Sequence, residues 1–373
     1  MGCGVGRLGS VRWPGGAHPP QPPGGSFSPR RRHHEPASGF RPDQPTPRLA
    51  PRHGWGWSSR CLSPVRSTAI AIFAFRRPDH LRQVLGSLAN QSSPCALPIF
   101  LFLDGPRGAT DREAVESCRA VATDVGQRLP VTVIASEVNR GLYRSLTGGI
   151  SAVLADHDQV IVLEDDLVLS PYFLDYMRDG LGCYAENPHV ASIHGYVPPI
   201  PRAMPETFFL RGADCWGWAT WRDRWALYRH DASAMAREIR GRGLVDAFNL
   251  GGLVPNLRML EARAAGRLES WAICWHASCF LADRHTLHPG RSLVRNIGLD
   301  HSGEHCGPAR AMEATLSERP VRVAPRPVSE DKDLLRAYAN QVGGGPPLSR
   351  VLNKLRSASR QLFPPVERKG GDA

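Results

Sequence analysis

The order of apolar and polar positions between residues 67 and 166 predicts alternating strands and helices. Residues 68–75 form a continuous apolar run, which is typical of a buried strand. A helix is predicted to begin at Pro78, because the apolar residues that follow recur at helical spacing. They are Leu81, Val84, Leu85 and Leu88. Further strands are predicted at 97–103, 131–135 and 159–163, with helices near 110–128 and 143–156. Such alternation predicts a parallel sheet with helices on both faces.

Beyond residue 166 the pattern is less regular. A helix is expected at 172–185, a strand at 189–193, and a helical region from about 232 to 266. The later expectations are short strands near 278–282, a loop at 320–333 and an amphipathic helix at 349–362. We therefore expect an α/β domain that spans residues 66–307, followed by a C-terminal extension at 308–373.

Residues 1–65 differ in composition from the rest of the chain. The segment is rich in proline and glycine, has no hydrophobic period, and holds nine arginines against two acidic residues. Such a composition predicts disorder. Most of the net charge of +11 lies there rather than on the predicted fold, which argues against a nucleic-acid reader. A basic arm that touches anionic lipid or nucleic acid is the alternative reading, and an upstream start outside the native protein is another.

The nine cysteines and the absence of a long apolar run bear on the compartment. The cysteines are odd in number, irregularly spaced and without a CxxC pair, which favours free thiols in a reducing compartment. No run of about 18 apolar residues occurs, so a membrane span is not expected. We predict a cytoplasmic protein, and peripheral association with the inner membrane through 349–362 is left open.

Glu164, Asp165 and Asp166 directly follow the predicted strand at 159–163. Ligands of parallel sheets bind beyond the carboxyl ends of the strands, so the triplet is expected to face a crevice. Adjacent carboxylates repel each other unless a cation or hydrogen-bond donors compensate. Mg²⁺ or Mn²⁺ does so through oxygen ligands and keeps positions open for substrate phosphates. An acidic, solvated loop is the alternative interpretation.

The segment VLEDDLVLSPYFLDYM resembles the metal-binding segment of N-acetylglucosaminyltransferase I and its bacterial GT-A relatives. The likeness extends from about Thr68 to Cys306, through AFRRPDHLRQVLGSL, LDGPR, NRGLYRSLTGGI, GWATWRDRW, SWAICWHASCFL and NIGLDHSGEHC, in that order. The resemblance implies a GT-A (Rossmann-like) fold with a mixed sheet, a divalent metal and a nucleotide-sugar donor, expected to be a UDP-sugar. It implies a glycan, lipid-linked or polysaccharide acceptor and an inverting hexosyl or N-acetylhexosaminyl transfer.

The same resemblance assigns roles to several residues. It makes Asp166 the direct metal ligand and places Glu164 and Asp165 at the ribose and donor sugar. The nucleotide would be reached by Arg77, and its base would be read by Asp104, with a surface salt bridge as the alternative for both. Two further groups are supported by their residue types as well. The polar turn with Asn139 and Arg144 precedes a helix N-terminus that suits a diphosphate, although such a turn is also common in other contexts. The aromatic face of Trp218 suits a sugar ring, and a buried core position is its alternative interpretation.

An inverting transferase needs a carboxylate to take the proton of the acceptor hydroxyl. Glu269, before Ser270-Trp271, is the first candidate, and Asp214 is the second. The chain has Ala272 where related sequences often carry an aspartate. His305 with Asp300 resembles the family's closing motif, which implies a metal or diphosphate ligand, and a structural hydrogen bond is the alternative.

Two other functions compete with the transferase. A nucleotidyltransferase would also use paired carboxylates, but the turn FRRPDH lacks the expected glycine-rich, lysine-containing loop. A non-catalytic protein that retains the fold and binds a nucleotide or carbohydrate is the second alternative, and Ala272 is the feature that favours it.

Overall fold

The structure is a computed structural model, which describes residues 66–125, 129–300 and 312–343. The described chain contains ten strands. They are β1 (Thr68–Ala74), β2 (Ile99–Leu103), β3 (Val131–Ala135), β4 (Gln159–Glu164), β5 (Leu167–Leu169), β6 (Val190–His194), β7 (Thr207–Arg211), β8 (Trp218–Trp221), β9 (His285–Pro289) and β10 (Val294–Asn296). The segments predicted at 1–65 and 349–362 lie outside the described residues.

The α-helices of the described residues flank these strands. They are α1 (Pro78–Ala89), α2 (Arg112–Val125), α3 (Leu142–Asp156), α4 (Phe173–Cys183), α5 (Arg222–Trp225), α6 (Ala232–Gly241), α7 (Val245–Phe248), α8 (Asn256–Ala264), α9 (Ala272–Leu281) and α10 (Lys332–Val342). Among the described residues, no helix is both long and apolar enough to span a bilayer.

Eight strands form one sheet in the order β3-β2-β1-β4-β8-β6-β9-β7. The first four are parallel, as the pattern predicts. The sheet becomes mixed at β8, which runs antiparallel to both β4 and β6. Since β6 is therefore parallel to β4, the carboxyl ends of β1, β4 and β6 meet at one edge. The remaining two strands, β5 and β10, pair antiparallel beside this edge.

The sheet separates two hydrophobic cores because successive strand residues point to opposite faces. On β1, Ile70 and Ile72 belong to the core under α1, α2 and α4. Ala71 and Phe73 belong to the core under α3 and α9. Helices on both faces of a mixed sheet match the predicted GT-A, Rossmann-like architecture.

Two elements in the second half differ from the sequence predictions. The strands expected near 278–282 are wrong, because this segment lies within α9 and the strand β9 begins at His285. The helix α10 was not predicted, and it begins at Lys332, within the last two residues of the loop predicted at 320–333. The carboxylate of Asp331 caps it by accepting from the backbone N–H groups of Asp333 and Leu334 at 2.9 Å. Tyr338 of α10 then packs in a small core with Phe208 of β7.

Candidate functional site

The acidic triplet lies at the sheet edge where β1 and β4 end. Glu164 is the last residue of β4 and pairs with Phe73 of β1. Asp165 and Asp166 form the turn into β5. The chain that leaves β1 reaches this turn directly, because the backbone N–H of Phe75 donates to Oδ2 of Asp165 at 3.1 Å. Parallel pairing of β1 with β4 thus brings two distant segments of sequence into one crevice.

Arg77 supplies the positive charge nearest to the triplet. Its Nη1 donates to Oδ2 of Asp166 at 3.0 Å, and its Nη2 is bonded to Oδ1 of Asp165. Burial acts to lower the pKa of the guanidinium, but the two carboxylates raise it above its usual value. The structure therefore pairs Arg77 with both aspartates at the end of β4, and the predicted contact of Arg77 with a nucleotide stays a prediction.

The triplet retains more negative charge than Arg77 compensates. Burial, reinforced by Asp166 and Asp165, raises the pKa of Glu164 to about 8. For Asp165, burial raises the pKa to about 6, although Arg77 acts to lower it. Burial of adjacent carboxyl groups disfavours their charged forms, and a nearby cation would favour them. Carboxylate oxygens are the ligands that a hard divalent ion such as Mn²⁺ or Mg²⁺ prefers.

Gly298 allows a second chain segment to approach the triplet. It follows β10, which pairs with β5, and the N–H of Ile297 donates to the backbone O of Asp166 at 2.8 Å. A Cβ at Gly298 would lie 2.3 Å from Oδ2 of Asp166 and 3.1 Å from Nη1 of Arg77. A side chain at this position would therefore require Asp166 or the backbone to move. Gly298 lies within the motif NIGLDHSGEHC, but the motif alone does not indicate which of its residues approaches the triplet.

Asp104 organises the turn that precedes α3. Its Oδ1 accepts from the backbone N–H groups of Gly105 at 2.9 Å and Arg140 at 2.8 Å. Its Oδ2 accepts from the N–H of Gly141 at 2.9 Å and from Nδ2 of Asn139 at 3.2 Å. A carboxylate offers about four acceptor positions, so these four donors occupy them. The predicted base-reading role of Asp104 thus stays a prediction, while the structure gives the residue a positioning role.

Glu269 lies against this turn. Its carboxylate oxygens are 3.7 and 3.8 Å from the position that a Cβ on Gly141 would take. Gly141 has a φ of 75° and is the residue before α3. The side chain of Glu269 is exposed, as is that of Arg144 in the first turn of α3. The predicted residues Asn139, Arg144 and Glu269 are therefore grouped around the N-terminus of one helix.

Asp214 lies elsewhere, in the loop between β7 and β8. Its Oδ2 accepts from the hydroxyl of Tyr338 at 2.5 Å, and its Oδ1 accepts from the N–H of Cys215 at 2.9 Å. The carboxylate belongs to a cluster with His194 and His288, whose potential ligand atoms all lie within 4.8 Å of one another. This cluster is the described group of side chains, apart from the acidic triplet, that could be considered for a metal ion.

The prediction that Trp218 contacts the donor disagrees with its position. β8 is a central strand, and the side chain of Trp218 is fully buried. Its ring packs among indoles, with the ring of Trp271 at 5.6 Å and that of Trp275 at 5.7 Å. A ring without exposed surface cannot stack on a sugar, so Trp218 is a core residue. Trp216 is half-buried and packs edge-on against Tyr196 at 4.7 Å.

The predicted ligands of the closing motif are only partly described. His305 lies outside the described residues, so its role remains a prediction. Asp300 is described, and its Oδ2 lies 3.3 Å from Nε2 of His80 in the first turn of α1. The same helix begins at Pro78, directly after Arg77, so Asp300 is near the segment that reaches the triplet.

In a comparison with known protein families, one family matches the segment that carries the triplet. The family described as Glycosyl transferase family 2 matches residues 69–182, from β1 to the end of α4. Among curated proteins, none matches the chain.

Several solved structures are similar to parts of the chain. The S. aureus TarS 1–349 complex with UDP aligns over 37% of this chain and 38% of that chain, at 15% identity and a TM-score of 0.28. The complex of TarS 1–349 with UDP-GlcNAc aligns over 81% of this chain and 77% of that chain, at 12% identity and a TM-score of 0.39. A third structure is glucosyl-3-phosphoglycerate synthase from Mycobacterium tuberculosis in complex with Mn²⁺, UDP and glucosyl-3-phosphoglycerate. It aligns over 58% of this chain and 88% of that chain, at 11% identity and a TM-score of 0.33. In the first of these, the chain spans less than half of its relative.

Proposed function

We propose that this chain moves a sugar from a nucleotide-diphosphate donor to a carbohydrate acceptor. It is a glycosyltransferase with a GT-A fold, and its residues 69–182 match the family described as Glycosyl transferase family 2. A UDP-sugar is the expected donor, and the acceptor is a glycan, a lipid-linked sugar or a polysaccharide precursor. The observation that carries the proposal is the acidic triplet at the carboxyl end of β4, paired with Arg77, at the edge where parallel sheets bind ligands.

Asp166 would hold a Mn²⁺ or Mg²⁺ ion, and the adjacent Asp165 would support it or contact the donor. The ion supplies Lewis-acid stabilisation of the negative charge that develops on the departing diphosphate. The raised pKa values of Glu164 and Asp165, caused first by burial and then by the neighbouring carboxylates, are consistent with this assignment, because a bound cation would favour the charged forms. His305 is proposed as a further ligand on the strength of the sequence motif alone.

Arg77 and the N-terminus of α3 would bind the anionic part of the donor. A guanidinium donates two parallel hydrogen bonds to phosphate as readily as to carboxylate. The unpaired N–H groups at a helix N-terminus favour an anion as well. Asp104 would act here by fixing the turn at Asn139, which keeps the start of α3 and Arg144 in place.

Glu269 is the proposed base. Its carboxylate would take the proton of the acceptor hydroxyl while the hydroxyl oxygen attacks the anomeric carbon. The bond to the diphosphate breaks on the opposite face, so the anomeric configuration inverts. Exposure beside the turn at Gly141 supports Glu269, since the group is accessible and adjacent to the proposed donor site. Asp214 is the weaker candidate, because Tyr338 and Cys215 already donate to its two oxygens.

Product analysis tests this assignment. The full chain is incubated with Mn²⁺, a panel of UDP-sugars and an acceptor mixture, and NMR of the purified product gives the anomeric configuration. Inversion is expected, and Glu269→Gln should lower the transfer rate about 10²- to 10⁴-fold without weakening UDP binding. Glu261→Gln is the matched control, because Glu261 lies nearby on α8 and pairs with Arg240. Retention of configuration, or full activity of Glu269→Gln, would rule out this role.

A further inference from the structure

A cavity of about 220 Å³ lies next to Asp214. It is formed by the loop after β7 and by helices α8, α9 and α10. Part of its wall is apolar and includes Leu250, Val254 and Ile273. Pockets for drug-sized ligands usually measure roughly 300–1,000 Å³, so this one suits a single ring-sized unit. A small cavity with an apolar wall and a carboxylate matches a sugar, which has an apolar face and hydroxyl groups at its edge.

Asp214 offers hydrogen-bond acceptors to this cavity. About one third of its side chain is exposed, at 35%. Each carboxylate oxygen accepts one hydrogen bond within the protein, from Tyr338 or from Cys215. Since each oxygen has about two acceptor positions, both can accept one more. The carboxylate is thus held in a fixed orientation and can still bind hydroxyl donors.

The charges of the lining residues favour a neutral ligand over an anionic one. The cation among them, Arg211, lies 3.1 Å from Asp283 and donates to the backbone O of Phe280. Burial lowers the pKa of His276, and burial lowers that of His288 to about 3, so both rings are neutral at pH 7. Asp214 therefore carries the charge that a ligand in the cavity would meet. A phosphate or carboxylate on the ligand would be repelled.

The two histidines near Asp214 are hydrogen-bonded to each other. The backbone N–H of Trp216 donates to Nε2 of His194 at 3.1 Å, so the single hydrogen of this neutral ring lies on Nδ1. That Nδ1 is 3.2 Å from Nδ1 of His288, which must therefore accept. Both Nδ1 atoms are engaged in this bond. A metal would need their lone pairs and would have to displace the amide of Trp216.

Residues that line the cavity are close in sequence to residues near the proposed donor site. Ser270, which lines the cavity, directly follows Glu269, whose carboxylate lies against the turn at Gly141. On the other side, the loop that carries Asp214 continues to Gly217. A Cβ there would lie 3.6 Å from Cδ2 of Leu163, the residue before the triplet. Two chain segments thus run from the lining of the cavity to residues near the turn at Gly141 and near the triplet.

We propose that this cavity binds a neutral sugar unit of the acceptor, and that Asp214 accepts hydrogen bonds from its hydroxyl groups. The inference rests on the proposed function, because it concerns the acceptor of that reaction. It gives Asp214 a binding role instead of the role of alternative base. It also gives α10 a function, since Tyr338 orients the carboxylate that reads the acceptor.

Saturation-transfer difference NMR on the full chain with UDP and Mn²⁺ tests the proposal. The probes are four neutral sugars, glucose, galactose, mannose and N-acetylglucosamine, and two anionic ones, glucose 6-phosphate and glucuronate. At least one neutral sugar should bind more tightly than either anionic one. Asp214→Asn should weaken that binding roughly ten-fold or more, the loss of a charge-assisted hydrogen bond. Val254→Phe, which fills the cavity and keeps the carboxylate, should have a similar effect.

The controls separate this inference from the proposed function. Asp124→Asn removes an exposed carboxylate from α2 and should leave sugar binding unchanged. Binding of UDP in the presence of Mn²⁺, measured on the same samples, reports the donor site independently. If UDP binds but no sugar does, or if anionic sugars bind best, the acceptor inference is overturned and the transferase proposal stands. Equal sugar binding by wild type, Asp214→Asn and Val254→Phe would overturn it as well.

Discussion

Replacing Gly298 with alanine is expected to disturb the metal site while leaving the fold intact. The added Cβ would lie 2.3 Å from Oδ2 of Asp166, whereas ordinary van der Waals contact begins at 3.4 Å. Either the carboxylate or the backbone must therefore move by about 1.1 Å. The Nη1 of Arg77 lies 3.1 Å from the same point and limits how far the carboxylate can move on that side. Disturbing the residues that orient a metal ligand can cost up to about 10²-fold in metal affinity, which corresponds to about 2.7 kcal/mol.

Isothermal titration calorimetry with UDP and Mn²⁺ measures this effect, and urea unfolding measures the stability of the same variants. Gly298→Ala should weaken metal-dependent UDP binding about 10²-fold. Its free energy of unfolding should change by less than about 1 kcal/mol, since the crowded atoms lie at the end of the sheet and not in a core. Gly86→Ala is the control, because nothing lies within 4 Å of its added Cβ on α1. Wild-type UDP affinity in folded Gly298→Ala would refute the role given to Asp166.

Two further predictions concern stability. Gly149→Ala should lower the free energy of unfolding by about 1–3 kcal/mol, because its Cβ would lie 2.5 Å from the ring of Phe73. The control is the neighbouring Gly148→Ala, whose Cβ would have nothing within 4 Å. In urea titrations this variant should be neutral or more stable by up to about 1 kcal/mol. The pKa of His288 is about 3 in the folded chain, lowered by burial and then by His194, against about 6.5 when unfolded. Because the unfolded chain then binds the proton first as the pH falls below 6.5, the free energy of unfolding should be about 2 kcal/mol lower at pH 5 than at pH 7.5. An unchanged pH dependence in His288→Asn would contradict this reasoning.

The first half of the fold could be predicted because its signals are local. Strands β1 to β4 are short apolar runs, and α1 has its apolar residues at helical spacing, so period and length identify each element. The acidic triplet could be placed at a strand end for the same reason. Its partner Arg77 could be assigned because parallel strands end at one edge.

The second half was harder to predict because a helix that is buried on all sides has no alternation of apolar and polar residues. Helix α9 is apolar on all sides, with Trp275 and Cys279 both fully buried, so it has no amphipathic pattern to distinguish it from a strand. Trp218 belongs to the same core, and its burial follows from the central position of β8, which sequence does not reveal. The requirement for glycine at position 298 depends on the pairing of β5 with β10, two strands that are far apart in the chain.

The central claim is that the acidic triplet binds a nucleoside diphosphate through a divalent metal. The most direct test is calorimetric titration of UDP into the full chain, with and without Mn²⁺, for wild type and Asp166→Asn. The account predicts binding by wild type that requires Mn²⁺ and is lost in Asp166→Asn, while the variant keeps the wild-type unfolding curve. Binding that is equal with and without Mn²⁺, or unchanged in Asp166→Asn, would contradict it.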